Sequence, residues 1–245
     1  MTFLQYIFLF LSVLIGGGIG FFVKKNNREV LQMMLSFSGA YILGITVLHL
    51  IPNVFQDSGK LIGLWVLLGF LIQLLLEQFS AGVEHGHIHA PRRETAKFAL
   101  AVVASLCVHS FMEGMPLSHY ELLEALHGGH GREQEYLWIG IILHKAPAAF
   151  ALVLLLLFSN FKKRTIWISL FLFATMSPLG AATSEIINLN ASGQKILLAV
   201  VIGSFLHIST TILFEMDNTS QHKISFSKML AIISGLGIAI LTIIF

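Results

Sequence analysis

The sequence has very few charged residues. Asp, Glu, Lys and Arg make up only 11% of its 245 residues, whereas soluble domains carry about 25%. Apolar residues make up 56% of the chain, and the mean hydropathy is +0.81. A soluble domain is therefore excluded, and the composition predicts an integral membrane protein that contacts the lipid bilayer.

Three other absences narrow the possibilities. Cys107 is the single cysteine, so the chain cannot form an internal disulfide. The metalloprotease motif HExxH does not occur. The N-terminus lacks the basic region and cleavage site of a signal peptide, so we expect the first apolar run to be a permanent span.

Long apolar runs divide the chain. Each is long enough to cross a hydrocarbon core of about 30 Å as a helix and lacks the alternation of a barrel strand. The fold predicted is an all-α membrane protein with eight transmembrane helices in a single domain, 1–245, with 80–97 as a histidine-containing loop. The predicted spans are 4–23, 33–55, 61–79, 98–118, 136–158, 165–187, 196–214 and 228–245.

Lysine and arginine are distributed unevenly between alternate loops. Cytoplasmic loops collect these residues. One set of loops holds eleven: Lys24, Lys25, Arg28, Arg92, Arg93, Lys97, Lys162, Lys163, Arg164, Lys223 and Lys228. The other set holds Lys60, Arg132 and Lys195. This asymmetry predicts that both termini are extracytoplasmic. The basic residues fit membrane topology, so no nucleic-acid partner is expected.

Ionisable residues occur inside several predicted spans, where each costs about 2.5–3.5 kcal/mol on insertion scales. The candidates for a functional role are His49, His109, Glu113, His144, Lys145 and His207. His109 and Glu113 are four residues apart and face the same side of the fourth span. His144 lies near the middle of the fifth span. The fourth and fifth spans are antiparallel and joined by one short loop, so they can bring all three side chains to the same depth in the membrane.

These side chains form a candidate metal site. Two imidazoles and a carboxylate suit Zn²⁺ and are acceptable to Cd²⁺, Fe²⁺ or Mn²⁺. Lys145 is snorkelling, neutral or paired with Glu113. His207 is interpreted as a hydrogen-bonded packing residue. The role of His49 stays open between ligand and packing, and Cys107 is assigned to packing.

The sequence pairs "HSFMEG" (109–114) with "HKAPAAF" (144–150), in a chain of eight predicted helices whose two termini are both expected to be extracytoplasmic. In these features the chain resembles the ZIP (Zrt/Irt-like) family of divalent-metal transporters. Support comes from "LHLIP", "SPLG" and "GSFLHI" in the second, sixth and seventh spans. The resemblance implies metal movement towards the cytosol. It also implies that His109, Glu113 and His144 bind the transported metal.

The resemblance extends to the surroundings of the site and includes departures. It implies that His49 can approach the metal and that Ser110 matches a position contributing to a second metal. Three positions depart from the members of the family that bind two metals. Lys145 replaces an acidic ligand, Ala148 replaces a histidine or glutamate, and Ser177 replaces a glutamate of the sixth helix. The chain resembles the branch of the family with histidine followed by lysine in the fifth helix, and we therefore expect one bound metal ion.

Two loops contain further histidines. His85, His87 and His89 lie in the loop predicted to be cytoplasmic, and His127 and His130 lie in the outer loop after the fourth span. Short histidine tracts can collect metal ions. A merely solvated loop is the alternative on the cytoplasmic side, and an amphipathic turn with a flexible glycine stretch is the alternative outside.

Transport of a divalent metal, with Zn²⁺ as the first choice, is the function expected. The ion is a substrate, so no cofactor is expected, and the protein is not expected to be an enzyme. An intramembrane zinc-dependent hydrolase and a proton-coupled carrier of organic substrates are the alternatives. We expect a plasma or cell inner membrane location, with a homodimer as an open alternative to a monomer.

Overall fold

The structure is a computed structural model that describes residues 1–22, 28–56, 58–80, 82–83, 96–118, 132–187, 189–214 and 225–244. Within these ranges the regular secondary structure is all helical, with no strand. Eight helices of the described residues are long and apolar enough to cross a membrane. The predicted all-α fold with eight spans is confirmed, and the chain is a multi-pass integral membrane protein.

Two of the spans contain turns that are not α-helical. The second span contains a π-helical turn, Thr46–Leu50, and the fourth ends in a 3₁₀ turn, Met115–Ser118. The α-helical segments are Phe3–Gly20 in the first span, Arg28–Ile45 and Ile51–Phe55 in the second, Ile62–Ser80 in the third, Ala96–Gly114 in the fourth, Glu133–Phe158 in the fifth, Lys163–Ile187 in the sixth, Ala191–Phe214 in the seventh and Phe226–Ile244 in the eighth.

Two helices begin five residues earlier than the sequence predicts. The second span begins at Arg28 rather than at residue 33, and the seventh at Ala191 rather than at residue 196. Hydropathy identifies only the part of a helix that suits hydrocarbon. A helix also satisfies its own backbone groups beyond that region, so it continues through polar residues at the membrane surface.

Prolines are accommodated in three ways. Pro147 and Pro178 lie inside the fifth and sixth helices. Pro52 follows the π-helical turn, and Pro116 lies in the 3₁₀ turn after the fourth helix. Because proline cannot donate the usual i→i−4 hydrogen bond, both local departures from α-helical geometry fit its position.

The fifth span lies at the centre of the bundle. Residues 147–156 are all buried in the structure, and most of them belong to the largest hydrophobic cluster. By contrast, the third span exposes Leu67, Leu71 and Leu75 along one face, which suits contact with lipid. The fifth span therefore places its polar residues, His144 and Lys145, deep inside the protein.

Small residues bring particular helices close together. An added Cβ on Gly69 would lie 1.9 Å from the backbone oxygen of Val200, and one on Gly203 would lie 1.9 Å from that of Val66. The third and seventh backbones therefore touch at two glycines, as small residues allow in membrane helices. Gly114 and Gly180 bring the fourth and sixth helices together in the same way, against Ser177 and Phe111.

We expect Gly69→Ala to destabilise the protein by about 1–3 kcal/mol, because its methyl group would overlap the Val200 backbone. Gly18→Ala is the matched control, since an added Cβ there meets nothing within 4 Å. That control should be neutral or stabilising by up to about 1 kcal/mol through helix propensity. Thermal unfolding in one detergent measures both, and equal midpoints for the two variants would contradict the close contact.

Candidate metal centre

The fourth span supplies two of the candidate ligands. His109 and Glu113 are both buried, with 2% and 1% of their surface exposed. Their i,i+4 spacing places them on one face of the helix, and His109 Nε2 lies 2.7 Å from Glu113 Oε1. The Gly114 contact with the sixth span holds this part of the fourth helix deep in the bundle.

The fifth span supplies the third candidate ligand. His144 is 1% exposed, and its ring lies 6.1 Å from that of His109, nearly perpendicular to it at 89°. Donor atoms of His109, Glu113 and His144 all lie within 4.8 Å of one another. The structure therefore brings together the three residues that the sequence proposes as ligands.

The donor set fits a zinc ion. Two imidazole nitrogens and a carboxylate oxygen are ordinary zinc ligands, and tetrahedral coordination with bonds of about 2.0–2.2 Å places two ligand atoms of one ion about 3.3–3.6 Å apart. Donor atoms that all lie within 4.8 Å of one another can reach that spacing by rotation of their side chains. Three protein ligands also leave coordination positions for water, as mobile or catalytic zinc requires.

Lys145 lies directly beside these residues. Its Nζ is 3.0 Å from Glu113 Oε2, donates a hydrogen bond of 2.6 Å to Ser110 Oγ, and lies 5.1 Å from the centre of the Phe173 ring. The side chain is 1% exposed, which excludes snorkelling. Of the three alternatives, the geometry favours pairing with Glu113.

Ser110 and Ser177 occupy the neighbouring space. Ser177 Oγ donates to the backbone oxygen of Ser110 at 2.8 Å, and the two hydroxyl oxygens are 3.1 Å apart. Ser110 Oγ also accepts from Lys145. Where the family resemblance implies a second metal, these groups offer two hydroxyls and a fixed cation but no second carboxylate.

His49 lies apart from the cluster. Among the described residues, the group whose donor atoms converge contains His109, Glu113 and His144 but not His49. His49 Nε2 is 2.7 Å from Thr242 Oγ1 in the eighth span, and its ring packs 5.2 Å from that of Tyr136. Thr242 donates its own hydrogen to Ala239, so His49 is the donor. The structure thus does not place His49 with the other predicted ligands.

The remaining buried candidates have packing roles. His207 Nε2 hydrogen-bonds Glu77 Oε2 in the third span, and Phe70 packs edge-on against its ring. Cys107 belongs to the largest hydrophobic cluster. Both placements agree with the sequence interpretation. The loop histidines His85, His87, His89, His127 and His130 lie outside the described residues.

Sequence reasoning missed two polar residues behind His109. Ser204 Oγ lies 3.3 Å from His109 Nδ1 and donates to Gln73 Oε1 at 3.0 Å. Gln73 interrupts the apolar run "LLGFLIQLLLEQ", and a polar residue in such a run could have drawn attention. Ser204 carries no comparable signal, because serine is common in membrane helices.

A model of a known protein family matches residues 83–244, and its description is "ZIP Zinc transporter". The match covers well over half of the chain. The chain belongs to the ZIP family. The matched region contains the fourth to eighth spans and therefore all three converging ligands.

Individual ZIP relatives are also similar to the chain. It is 28% identical over 159 residues to the Xenopus laevis protein named zinc transporter ZIP9-A, covering 61% of this chain and 50% of that one. It is 24% identical over 260 residues to human zinc transporter ZIP1, covering 86% and 78%. Rat zinc transporter SLC39A7 matches at 35% over 86 residues, covering 27% and 18%. The chain spans about half the length of the Xenopus ZIP9 relatives it matches.

The different positions of His144 and His49 predict different effects on metal binding. His144→Ala removes one of three converging donors and should weaken zinc binding by at least about 100-fold. His49→Ala removes a hydrogen bond to Thr242 and should leave affinity within about twofold. Equilibrium titration of purified protein with zinc measures both. An equal loss in the two variants would place His49 at the site after all.

Proposed function

We propose that the chain carries zinc across the membrane towards the cytosol through the site formed by His109, Glu113 and His144. The observation that supports this most directly is the convergence of three buried donors from two consecutive spans. The relatives' names, all zinc transporters, support the same cargo. Cd²⁺, Fe²⁺ and Mn²⁺ are secondary substrates on ligand chemistry.

We propose that the ion reaches and leaves this site by alternating access. Helices would move to expose the buried side chains first on one side of the membrane and then on the other. The lysine and arginine distribution assigns the connection after the third span to the cytoplasmic side. We propose that its histidines, His85, His87 and His89, collect departing ions, and that His127 and His130 gather ions at the entrance. The proposed location is the plasma or inner membrane.

The charges around the site favour release. Glu113 contributes one negative charge, Lys145 contributes one positive charge, and the two imidazoles are neutral when they bind metal. The side chains of the site therefore have no net charge to balance that of a dication. A permanent ammonium beside the carboxylate weakens the binding of the ion. Weak binding suits a transporter, which must release its ion, but not a structural zinc site.

The same arrangement supports a single ion. The ammonium of Lys145 and the hydroxyls of Ser110 and Ser177 fill the space beside the ligands. A second dication there would meet a fixed like charge within a few ångströms and no anion other than Glu113. We therefore propose one metal per chain.

The alternatives have less support. A hydrolase needs a general base besides its metal ligands, and Glu113 is the one carboxylate in the converging cluster of described residues. The ZIP family consists of transporters. A carrier of organic substrates needs a broader polar site than three clustered donors.

Glu113→Gln should abolish zinc uptake, because it removes the anionic ligand. The variant also leaves Lys145 unpaired, which can destabilise a buried site, so the double variant Glu113→Gln/Lys145→Met should be measured beside it and should fail equally. Glu185→Gln is the control, since Glu185 is an exposed carboxylate that accepts from Tyr6. Uptake of labelled zinc into proteoliposomes is the measurement. Normal transport by either Glu113 variant would contradict the proposal.

Lys145→Met should bind zinc at least about tenfold more tightly and release it more slowly, because a like charge a few ångströms from the ion is removed. Lys195→Met is the control, since Lys195 is an exposed lysine that donates to the Gln56 backbone. Elemental analysis of the unmodified protein should find one zinc per chain. Two zinc ions per chain, or unchanged affinity in Lys145→Met, would refute the role given to this lysine.

A further inference from the structure

His109 is supported from behind by residues of two other spans. Its Nε2 faces Glu113, while its Nδ1 lies 3.3 Å from Ser204 Oγ in the seventh span. Ser204 in turn donates to Gln73 Oε1 in the third span at 3.0 Å. Ser204 and Gln73 are 2% and 1% exposed, so water does not supply alternative partners.

The direction of these hydrogen bonds determines which nitrogen of His109 carries hydrogen. A serine hydroxyl has one hydrogen, and an amide oxygen can only accept. Because Ser204 gives its hydrogen to Gln73, its oxygen can only accept from His109. In the neutral imidazole one nitrogen carries hydrogen and the other carries the lone pair. With the hydrogen on Nδ1, the Nε2 lone pair faces the candidate metal site.

The opposite tautomer has a ready partner. If Nε2 carried the hydrogen, it could donate to Glu113 Oε1, 2.7 Å away. That arrangement would occupy both a ligand nitrogen and a ligand oxygen. The Ser204 contact therefore has a specific task, which is to favour the tautomer that leaves Nε2 open to a metal.

We propose that Gln73 and Ser204 are positioning residues that fix the orientation and tautomer of His109 for metal binding, a role that rests on the proposed zinc site. Residues that hold the second nitrogen of a ligating histidine commonly change metal affinity about 10–100-fold when removed. Gln73 acts on His109 indirectly. It accepts the hydrogen of the Ser204 hydroxyl, so that the Ser204 oxygen can accept a hydrogen bond from His109.

The close contact of the third and seventh spans makes this arrangement possible. Gly203 immediately precedes Ser204, and Gly69 lies one helical turn before Gln73. Both glycines touch the opposite backbone. Side chains as short as serine and glutamine can therefore meet across the helix pair. The seventh span then presents the shared oxygen to His109 in the fourth.

Four variants separate this role from simple packing. Ser204→Ala should weaken zinc binding about 10–100-fold, and Ser204→Thr should restore it because the hydroxyl returns. Gln73→Leu should also weaken binding although Ser204 is intact, because the freed hydroxyl can donate to Nδ1 and favour the blocking tautomer. The double variant Gln73→Leu/Ser204→Ala should bind no more weakly than Gln73→Leu alone, since the freed donor is gone.

Equilibrium titration of the purified full-length protein with zinc gives the Kd of each variant, and thermal unfolding checks its fold. Ser209→Ala is the matched control, because Ser209 is a buried serine of the same helix that donates only to the nearby Leu206 backbone. It should bind zinc as the unmodified protein does. Wild-type affinity in Ser204→Ala would overturn the proposal, and so would additive losses in the double variant.

Uptake measurements separate this inference from the proposed transport function. If the unmodified protein binds zinc and the Ser204 and Gln73 variants lose affinity as stated, the positioning role stands even if proteoliposomes accumulate no zinc. If zinc is transported through the site but these variants retain full affinity, transport stands and the positioning role is wrong.

Discussion

A buried carboxylate needs a compensating cation, and this requirement organises the centre of the protein. Glu113 is almost completely enclosed, and Lys145 lies 3.0 Å from one of its oxygens. Isolated charges at this depth would be costly, whereas a close pair is neutral as a unit. Any dication that binds Glu113 must do so next to an ammonium that cannot leave. In the proposed metal site, the charges of the protein itself would therefore limit how tightly the ion is held.

The surrounding helices serve to keep that pair in place. Ser110 accepts from Lys145, and Ser177 in the sixth span hydrogen-bonds Ser110. The fourth and sixth helices approach closely enough for this because Gly114 and Gly180 face the opposite backbones. Phe173 lies under the ammonium and adds a cation–π contact. The lysine is thus fixed by an anion, a hydroxyl and a ring, which suits a permanent component of the site better than a mobile gate.

The features that could be predicted from the sequence are those that depend on one helix or on two adjacent ones. Hydropathy alone identifies eight spans, because lipid requires long apolar helices. The i,i+4 spacing of His109 and Glu113, and the short connection to the span of His144, are enough to propose three converging ligands. The true starts of the second and seventh helices, Arg28 and Ala191, could not be predicted because polar helical turns at the membrane surface have no hydropathy signal.

Features that depend on the rotation of distant helices could not be predicted. His49 is of a residue type that binds metals, but the orientation of the second span directs its side chain to Thr242 and Tyr136. Nothing in the local sequence near His49 determines that rotation. The contact of Ser204 with His109 has the same origin, since it depends on which face the seventh span turns to the fourth. Single-sequence reasoning therefore identifies polar side chains that converge from consecutive spans, and misses contacts that depend on distant helices.

The family match begins at residue 83 and so leaves out the third span, yet this span is part of the site's construction. Gln73 determines where the Ser204 hydrogen points, and Gly69 allows the two helices to meet. The proposed ligand His109 in the fourth span thus contacts the third span through Ser204 in the seventh. Because one hydrogen bond distinguishes an open Nε2 from a blocked one, the proposed metal site includes the third span as well as the matched region.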